Sequence, residues 1–463
     1  MINELGEKIT RLFKRYMPGS FVFALALTVI TALAALIWTE SGPMSTIESW
    51  YKGFWMLLEF GMQVVLILVT GYSIALSPIA GRMINKLAKF IRSPWQVYPF
   101  VLIVGMILAS ISWGWLVITA VFARELAMRV KGVNYPYLIA CVYFSGLIWV
   151  TGLSSSIPLL LNTEGNFLIE AGVLSSTIPT SETLGSVLNL VIIIFALVVG
   201  PILFYLLIPK KGQELTEMLV KDGQSAELPI SEEAKSMNLA LPALSDKLNN
   251  NSILLYLVGL MGICYAIYYF ITYGFDINLN IMIFIFVVLG MFLHGTPMRY
   301  GIAMKRSSRN ISGILFQYPF YAGIMGIMIY TGLGEVLTEW MASIANKDTY
   351  PFFAFLSGAV VNFAIPSAGG EFAVIGPTIV NSVKNISAGL PESEVTAMVG
   401  RAAMSIAYGE TLTNMLQPFY LLIILPVMGI GIKIQARDVM GYLLIPFVVY
   451  FISWALLVTF VPL

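Results

Sequence analysis

Two carboxyls stand inside apolar runs suited to lipid: Glu371 in LSGAVVNFAIPSAGGEFAVIGP (356–377) and Glu410 in MSIAYGETLTNMLQPF (404–419). Ionisable groups at membrane depth are functional candidates in their own right. Around them lie Asn362, Ser367, Gly369 and Gly370 in the first run, and Thr411, Thr413 and Asn414 in the second. Amides, hydroxyls and carboxyls of this kind can bind a small anion and hold a cation. They cannot by themselves break bonds, and the chain has no GxSxG, no HExxH, no glycine-rich phosphate loop and no cysteine–histidine cluster. Neither run can be one unbroken helix. Pro366 and Pro418 each remove a backbone donor, and the open amides and carbonyls must line a cavity or be buried in protein. A half-helix that starts at mid-membrane points unpaired amides and a positive dipole end at whatever sits there, which suits a carboxylate.

The first half of the chain repeats the arrangement, with SISWGWLVITAVFARE (110–125) followed by SGLIWVTGLSSSIPLLLN (145–162). Interrupted segments in corresponding positions of two halves point to a secondary transporter's binding site. The expected substrate-binding set is therefore Ser154, Ser155, Ser156, Asn362, Ser367, Gly369, Gly370, Thr411, Thr413 and Asn414. Asn162 lies at the edge of the same segment. Gly152, Gly369, Gly370 and Gly409 are expected to supply unusual dihedrals and close backbone approach. The bland alternative is that small and hydroxylated residues simply let helices pack. Glu410 and Glu371 are the candidates for the coupling ion. A protonated Glu410 would bind together with an anion, whereas an ionised one would serve sodium with carbonyls near Gly409 and Gly369.

Elsewhere the residues read as structural. Arg401 lies near the outer end of its span and, nine residues from Glu410, on the opposite helix face. Glu59 reads as a hydrogen-bonding partner within the bundle, and His294 as an interfacial residue at the cytoplasmic end of a span. Cys141 and Cys264 read as small core residues, with no disulfide, metal site or cofactor expected.

The 463 residues are 58% hydrophobic and 11% charged, against roughly 25% charged in soluble domains. The chain reads as an all-α polytopic membrane protein. A net charge of +1 gives no reason to expect a nucleic-acid partner. Apolar spans fall at 21–39, 53–77, 136–161, 184–208, 252–272, 278–294, 310–331, 396–425 and 439–461, about nine full crossings. The runs 97–123 and 350–381 are broken near the middle and read as re-entrant hairpins, while 136–161 and 396–425 read as broken transmembrane helices. The first twenty residues carry Lys8, Arg11, Lys14 and Arg15 before a span long enough to remain in the membrane, so a cytoplasmic N-terminus without a cleaved leader is expected.

If both hairpins return to the side they came from, 22 Lys and Arg fall in cytoplasmic loops and only Lys52, Lys347 and Lys384 in outer ones, with Arg401 inside a span. The two halves then have opposite orientation. The expected domains are a first inverted repeat (1–208), a cytoplasmic polar linker (209–250), a connecting helix (251–277) and a second inverted repeat (278–463), as suits alternating access around a midplane site. A continuous polar stripe would instead mark a channel, and two dead-end hairpins do not form one. The linker itself reads as a solvated connection.

The strings FWMLLEFGMQVVLILVTGYSIA (54–75), FARELAMRV (122–130), YPYLIACVYFSGLIWVTGLSSSIPLL (135–160), YPFYAGI (318–324), VNFAIPSAGGEFAVIGP (361–377), MSIAYGETLTNMLQPF (404–419) and RDVMGY (437–442) carry a resemblance over nearly the full length. The chain resembles the bacterial short-chain fatty acid transporters of the acetoacetate and butyrate uptake type, within the wider ion-transporter superfamily. That resemblance implies hairpin tips and broken helices, a scaffold domain forming a homodimer, and residence in the bacterial inner membrane. It implies symport of a short monocarboxylate with a cation; desolvation of Glu410 at mid-membrane, which favours its neutral form, is what prefers a proton to sodium. Ser367-Ala-Gly-Gly, Ser154-Ser-Ser and Thr411-Leu-Thr-Asn occupy the places of the cation-site signatures in dicarboxylate relatives. A sodium-coupled dicarboxylate or amino-acid carrier is the alternative.

Overall fold

Apolar character all round each long helix, with few charges, is what a lipid-embedded bundle requires. The computed structural model is a helical bundle of this kind. It describes residues 18–79, 93–210, 212–219, 229–237, 243–274 and 279–462, with the single positions 15, 82, 86, 90 and 91. The basic cluster Lys8, Arg11 and Lys14, and the middle of the expected linker, lie outside the described residues. Among the described residues there is no β-sheet, only one isolated antiparallel bridge between Leu219 and Ile432.

The first half holds α1 (Ser20–Trp38), α2 (Pro43–Gly53), α3 (Leu58–Ala75), α4 (Pro94–Ile111), α5 (Leu116–Arg129), α6 (Tyr135–Ser145), α7 (Ser156–Leu161) and α8 (Val187–Leu207). After α9 (Ser252–Tyr273) come α10 (Leu279–His294), α11 (Pro297–Ser307), α12 (Ser312–Tyr330), α13 (Leu333–Ser343), α14 (Tyr350–Val361), α15 (Ala368–Ile386), α16 (Glu392–Thr413), α17 (Leu421–Met428) and α18 (Leu444–Phe460). Among the described residues five stretches are long and apolar enough to cross a membrane, and two bent pairs qualify if each pair is one span. This is fewer than the expected nine because several apolar helices are short: α10 has 16 residues and α18 has 17, or roughly 24–26 Å. One bent pair, α12 with α13, turns by 60° at a break the sequence reading passes over.

Burial separates core from periphery. The stretch 135–161 is 78% buried, whereas the stretch that contains α9 is only 17% buried and presents Leu257, Met261 and Ile271 outward. Exposed side chains of this apolar kind belong in lipid. Cys264 is exposed on α9, not in the core, while Cys141 is buried, and both are free thiols.

The packing partners are crossed between the halves. α1 packs on α12 and α10 packs on α3, while α2 packs on α12 and α11 packs on α3. Within each half, α4 packs on α6 and α8, and α14 packs on α16 and α18. The half-helices are exchanged as well, with α5 against α17 and α15 against α7.

Loop contacts fall into two sets. In one, Arg124 Nη2 donates to the Ile430 carbonyl at 2.9 Å, Gly132 N donates to Glu214 Oε1 at 2.7 Å, and Arg306 pairs with Glu233. In the other, Lys347 pairs with Glu394 at 3.5 Å and Lys384 Nζ donates to the Val173 carbonyl at 2.7 Å. Arg401, in that second set, donates Nε to the Val458 carbonyl at 3.0 Å and Nη2 to those of Val458 and Val461. It thereby satisfies the orphan C-terminal carbonyls of α18. His294 is buried, its Nε2 lying 2.8 Å from the Ser73 carbonyl, so it ties α10 to α3 rather than facing the interface. Glu59 has Gln63 Nε2 within 3.5 Å, one turn along its own helix.

Candidate functional site

At the first break, α6 runs into a 3₁₀ turn (Gly146–Thr151), an extended Gly152, and then α7. The tip between α4 and α5 docks on it. Leu153 N donates to the Ser110 carbonyl at 2.7 Å, and Trp113 N donates to Ser154 Oγ at 3.0 Å. A Cβ on Gly152 would strike the Ser110 backbone. At the second break, α16 continues without interruption through Gly409 to Thr413, then tightens into a 3₁₀ turn (Asn414–Leu416) before bending by 48° into α17. The tip after α14 docks there through Asn362. Its Nδ2 is shared, at 2.9 Å each, among the Glu410 carbonyl, Thr413 Oγ1 and Asn414 Oδ1. Gln417 Nε2 closes the knot with 3.0 Å bonds to the Asn362 carbonyl and Asn414 Oδ1.

The glycines at the breaks do not act through unusual dihedrals, since Gly152, Gly369, Gly370 and Gly409 all have ordinary negative φ. Gly152 and Gly409 act through closeness instead. A Cβ at Gly409 would fall on the Phe355 carbonyl and within 2.9 Å of Ala359 N, so α14 and α16 meet backbone to backbone. A Cβ at Gly369 would find only Ser156, with Oγ at 3.9 Å, which brings the second tip beside the start of α7.

Between the two breaks lies a cavity lined by Trp113 and Leu116 from the first tip, Tyr143, Gly146, Leu147 and Trp149 from the first broken span, and Thr411, Asn414, Met415 and Tyr420 from the second. It has room for the centres of water-sized bodies over ≈40 Å³, roughly three times the 10–15 Å³ that one water needs. Its polar edge is formed by Thr411, whose Oγ1 donates to the Leu147 carbonyl at 3.0 Å, by Asn414, and by the Tyr143 hydroxyl, which bonds the Asn414 carbonyl. Trp113 and Tyr420 meet edge to face with centroids 6.4 Å apart, and Tyr420 OH lies 3.4 Å from the Pro366 carbonyl. No basic side chain lines this cavity.

Of the residues singled out from sequence, Thr411 and Asn414 line the cavity and Ser154 holds its Trp113 wall. Asn362 and Thr413 are bound to one another in the knot behind Asn414. Ser155 is buried just before α7, Ser156 opens that helix beside Gly369, and Ser367 and Gly370 form the turn that starts α15. Sequence reasoning missed Trp113, Tyr143, Trp149, Gln417 and Tyr420, because aromatic residues in membrane spans usually serve packing and interfacial belts. The available signal was their position, each within a few residues of a break.

Interrupted helices from both halves thus enclose a small cavity within a helical bundle. The family model for short chain fatty acid transporters matches residues 1–461, and the chain belongs to that family. Two relatives provisionally named short-chain fatty acid transporters agree. The one from Escherichia coli K12 is 37% identical over 445 residues, covering 96% of both chains. The one from Haemophilus influenzae is 35% identical over 449 residues, again covering 96% of each. Among solved structures, the YdaH transporter of Alcanivorax borkumensis aligns at a TM-score of 0.42 with 14% identity over 97% of both chains. MtrF of Neisseria gonorrhoeae aligns at 0.40 with 13% identity, also over 97% of both chains.

Proposed function

We propose that this protein is a secondary carrier that moves short monocarboxylates of the acetate, butyrate and acetoacetate type across the bacterial cytoplasmic membrane by alternating access, coupled to a cation. The carrying observation is the small cavity between the breaks, with neutral donors at one edge, aromatic walls and no basic side chain. A single carboxylate can be held there by the Asn414 amide, and by the hydroxyls of Thr411 and Tyr143 once these turn from the carbonyls of Leu147 and Asn414. A dicarboxylate would call for a second fixed cation, and Arg401 is already committed to the carbonyls of α18.

The crossed packing of α1 on α12 and α10 on α3 supports two repeats related by a pseudo-two-fold axis. The two sets of loop contacts coincide with the two sides assigned by the basic residues, which supports opposite orientation of the halves and a cytoplasmic N-terminus. Pro94 lies 3.2 Å from the position a Cβ on Gly132 would take, so α4 begins near where α5 ends, as a hairpin requires. Within this reading Glu410 and Glu371 are the coupling residues, with a proton preferred to sodium, and the working unit is a homodimer, as the resemblance to the wider ion-transporter superfamily implies.

Counterflow of labelled acetate, butyrate, acetoacetate and succinate in proteoliposomes, with sodium and pH gradients varied separately, tests the proposal. Exchange of the three monocarboxylates without succinate is expected. Succinate or amino-acid exchange in their place would replace this reading with the dicarboxylate or amino-acid carrier.

A further inference from the structure

Glu371 lies in the first turn of α15 and Glu410 in the last turn of α16, two helices packed against each other. Both residues are 0% exposed, and all four carboxyl oxygens are without a hydrogen-bond partner. Asn362 Oδ1 and Gln417 Oε1, on the knot that is bonded to the Glu410 carbonyl, are buried and without a donor as well. Buried polar atoms are normally satisfied. These six orphans are all acceptors; the buried hydroxyl of Tyr321 on α12, also an orphan, can serve only one of them, which leaves the cluster short of positive charge.

Among the described residues nothing around the pair supplies it. On α16 the only cation is Arg401, bound to carbonyls of α18, and on α15 it is Lys384, bound to the Val173 carbonyl at the far end. Tyr350, at the start of α14, lies by Arg401 rather than by the pair. From α13 come Glu335 and Glu339, both exposed, and α7 carries no titratable residue. Tyr318 and Tyr321 of α12, Tyr143 of α6 and Tyr420 complete the titratable neighbours. Glu371 feels the charge of Glu410, and Tyr420, which lines the cavity, feels both.

We propose that Glu371 and Glu410 form one shared site for a single monovalent cation, a proton or sodium. One positive charge leaves a net charge of −1, which is favoured on Glu371 because the positive end of the α15 dipole is there; at Glu410 the negative end of α16 opposes it. The cation or proton is therefore anchored on Glu410, one turn before the Asn414 that lines the cavity. An incoming carboxylate then meets one negative charge instead of two. This deepens the coupling reading above and does not depend on which acid is carried.

The test uses the purified full chain without any organic acid. Thermal unfolding is followed against sodium, balanced with choline at constant ionic strength, and separately against pH without sodium, for wild type, Glu371→Gln, Glu410→Gln, the double variant and Glu335→Gln. Stabilisation of the wild type and of Glu335→Gln that saturates as one site is expected, from added sodium if sodium is the occupant or on acidification if it is a proton. Either single variant at the pair should lose that response. The double variant, with no unpaired charge left, should unfold at or above the temperature of the cation-free wild type and respond to neither ion. A wild type indifferent to both ions, a single variant at the pair that keeps the full response, or a double variant that does not fold would overturn the proposal. Failure of counterflow would leave these outcomes unaltered, so the two readings fail separately.

Discussion

At the first break the tip is held by a carbonyl, a hydroxyl and two main-chain amides, through Ser110, Trp113, Leu153 and Ser154, and what faces the cavity is Trp113, Trp149 and Leu116. At the second break the tip is held by a knot of carboxamides, Asn362, Asn414 and Gln417, backed by two buried carboxyls. The two breaks share a mechanical plan, a tip docked on an interrupted helix, and differ in chemistry. In the proposed function the first break supplies the wall that sets size and the second the edge that binds charge.

The comparison fails altogether if the halves do not have opposite orientation. Cysteines placed at Lys131 and Lys384, both exposed, should respond oppositely to a membrane-impermeant thiol reagent added outside, with 384 labelled and 131 protected. Labelling of 131 or protection of 384 would remove the pseudo-symmetry.

Next in size is the mechanical plan. Gly409→Val places a branched side chain on the Phe355 carbonyl, and overpacking of this kind costs about 1–3 kcal/mol or more. Loss of folded, monodisperse protein is expected, whereas Gly369→Ala, which meets only Ser156 at 3.9 Å, should purify normally. Equal yields from both would show that the second tip is not fixed by backbone contact.

The polar edge should matter more than its counterpart. Asn414→Ala removes a group that faces the cavity, and a lost hydrogen bond to a charged ligand costs about 1.5–3 kcal/mol, or roughly 10-fold to 150-fold in affinity. Ser154→Ala, one step removed from the cavity, should weaken binding by less than that. Substrate binding in detergent measures both, and equal effects would erase the division of labour.

The smallest effect concerns the wall. Trp149→Ala enlarges the cavity, and each buried methylene contributes about 0.8 kcal/mol, or roughly fourfold. Pentanoate should gain relative to butyrate in competition assays, by roughly fourfold for its one added methylene. An unchanged preference would place the size filter elsewhere.

Much of this was legible in the chain itself. The apolar runs, the prolines inside them and the distribution of Lys and Arg determine a helical membrane protein with interrupted segments in each half, because lipid tolerates no unsatisfied backbone and cytoplasmic loops retain positive charge. Thr411 and Asn414 were visible as polar groups at a break. Only the tertiary structure decided that Gly409 serves contact instead of bending, that Arg401 is consumed by the end of α18, and that Trp113 and Trp149 wall the cavity. The same holds for Glu371, far from Glu410 in the chain and brought beside it by the packing of α15 on α16. The physical reason is that sequence spacing fixes which side chains share one helix face, whereas the neighbour across a helix crossing depends on which backbones can approach, and that is set by small residues acting far apart in the chain.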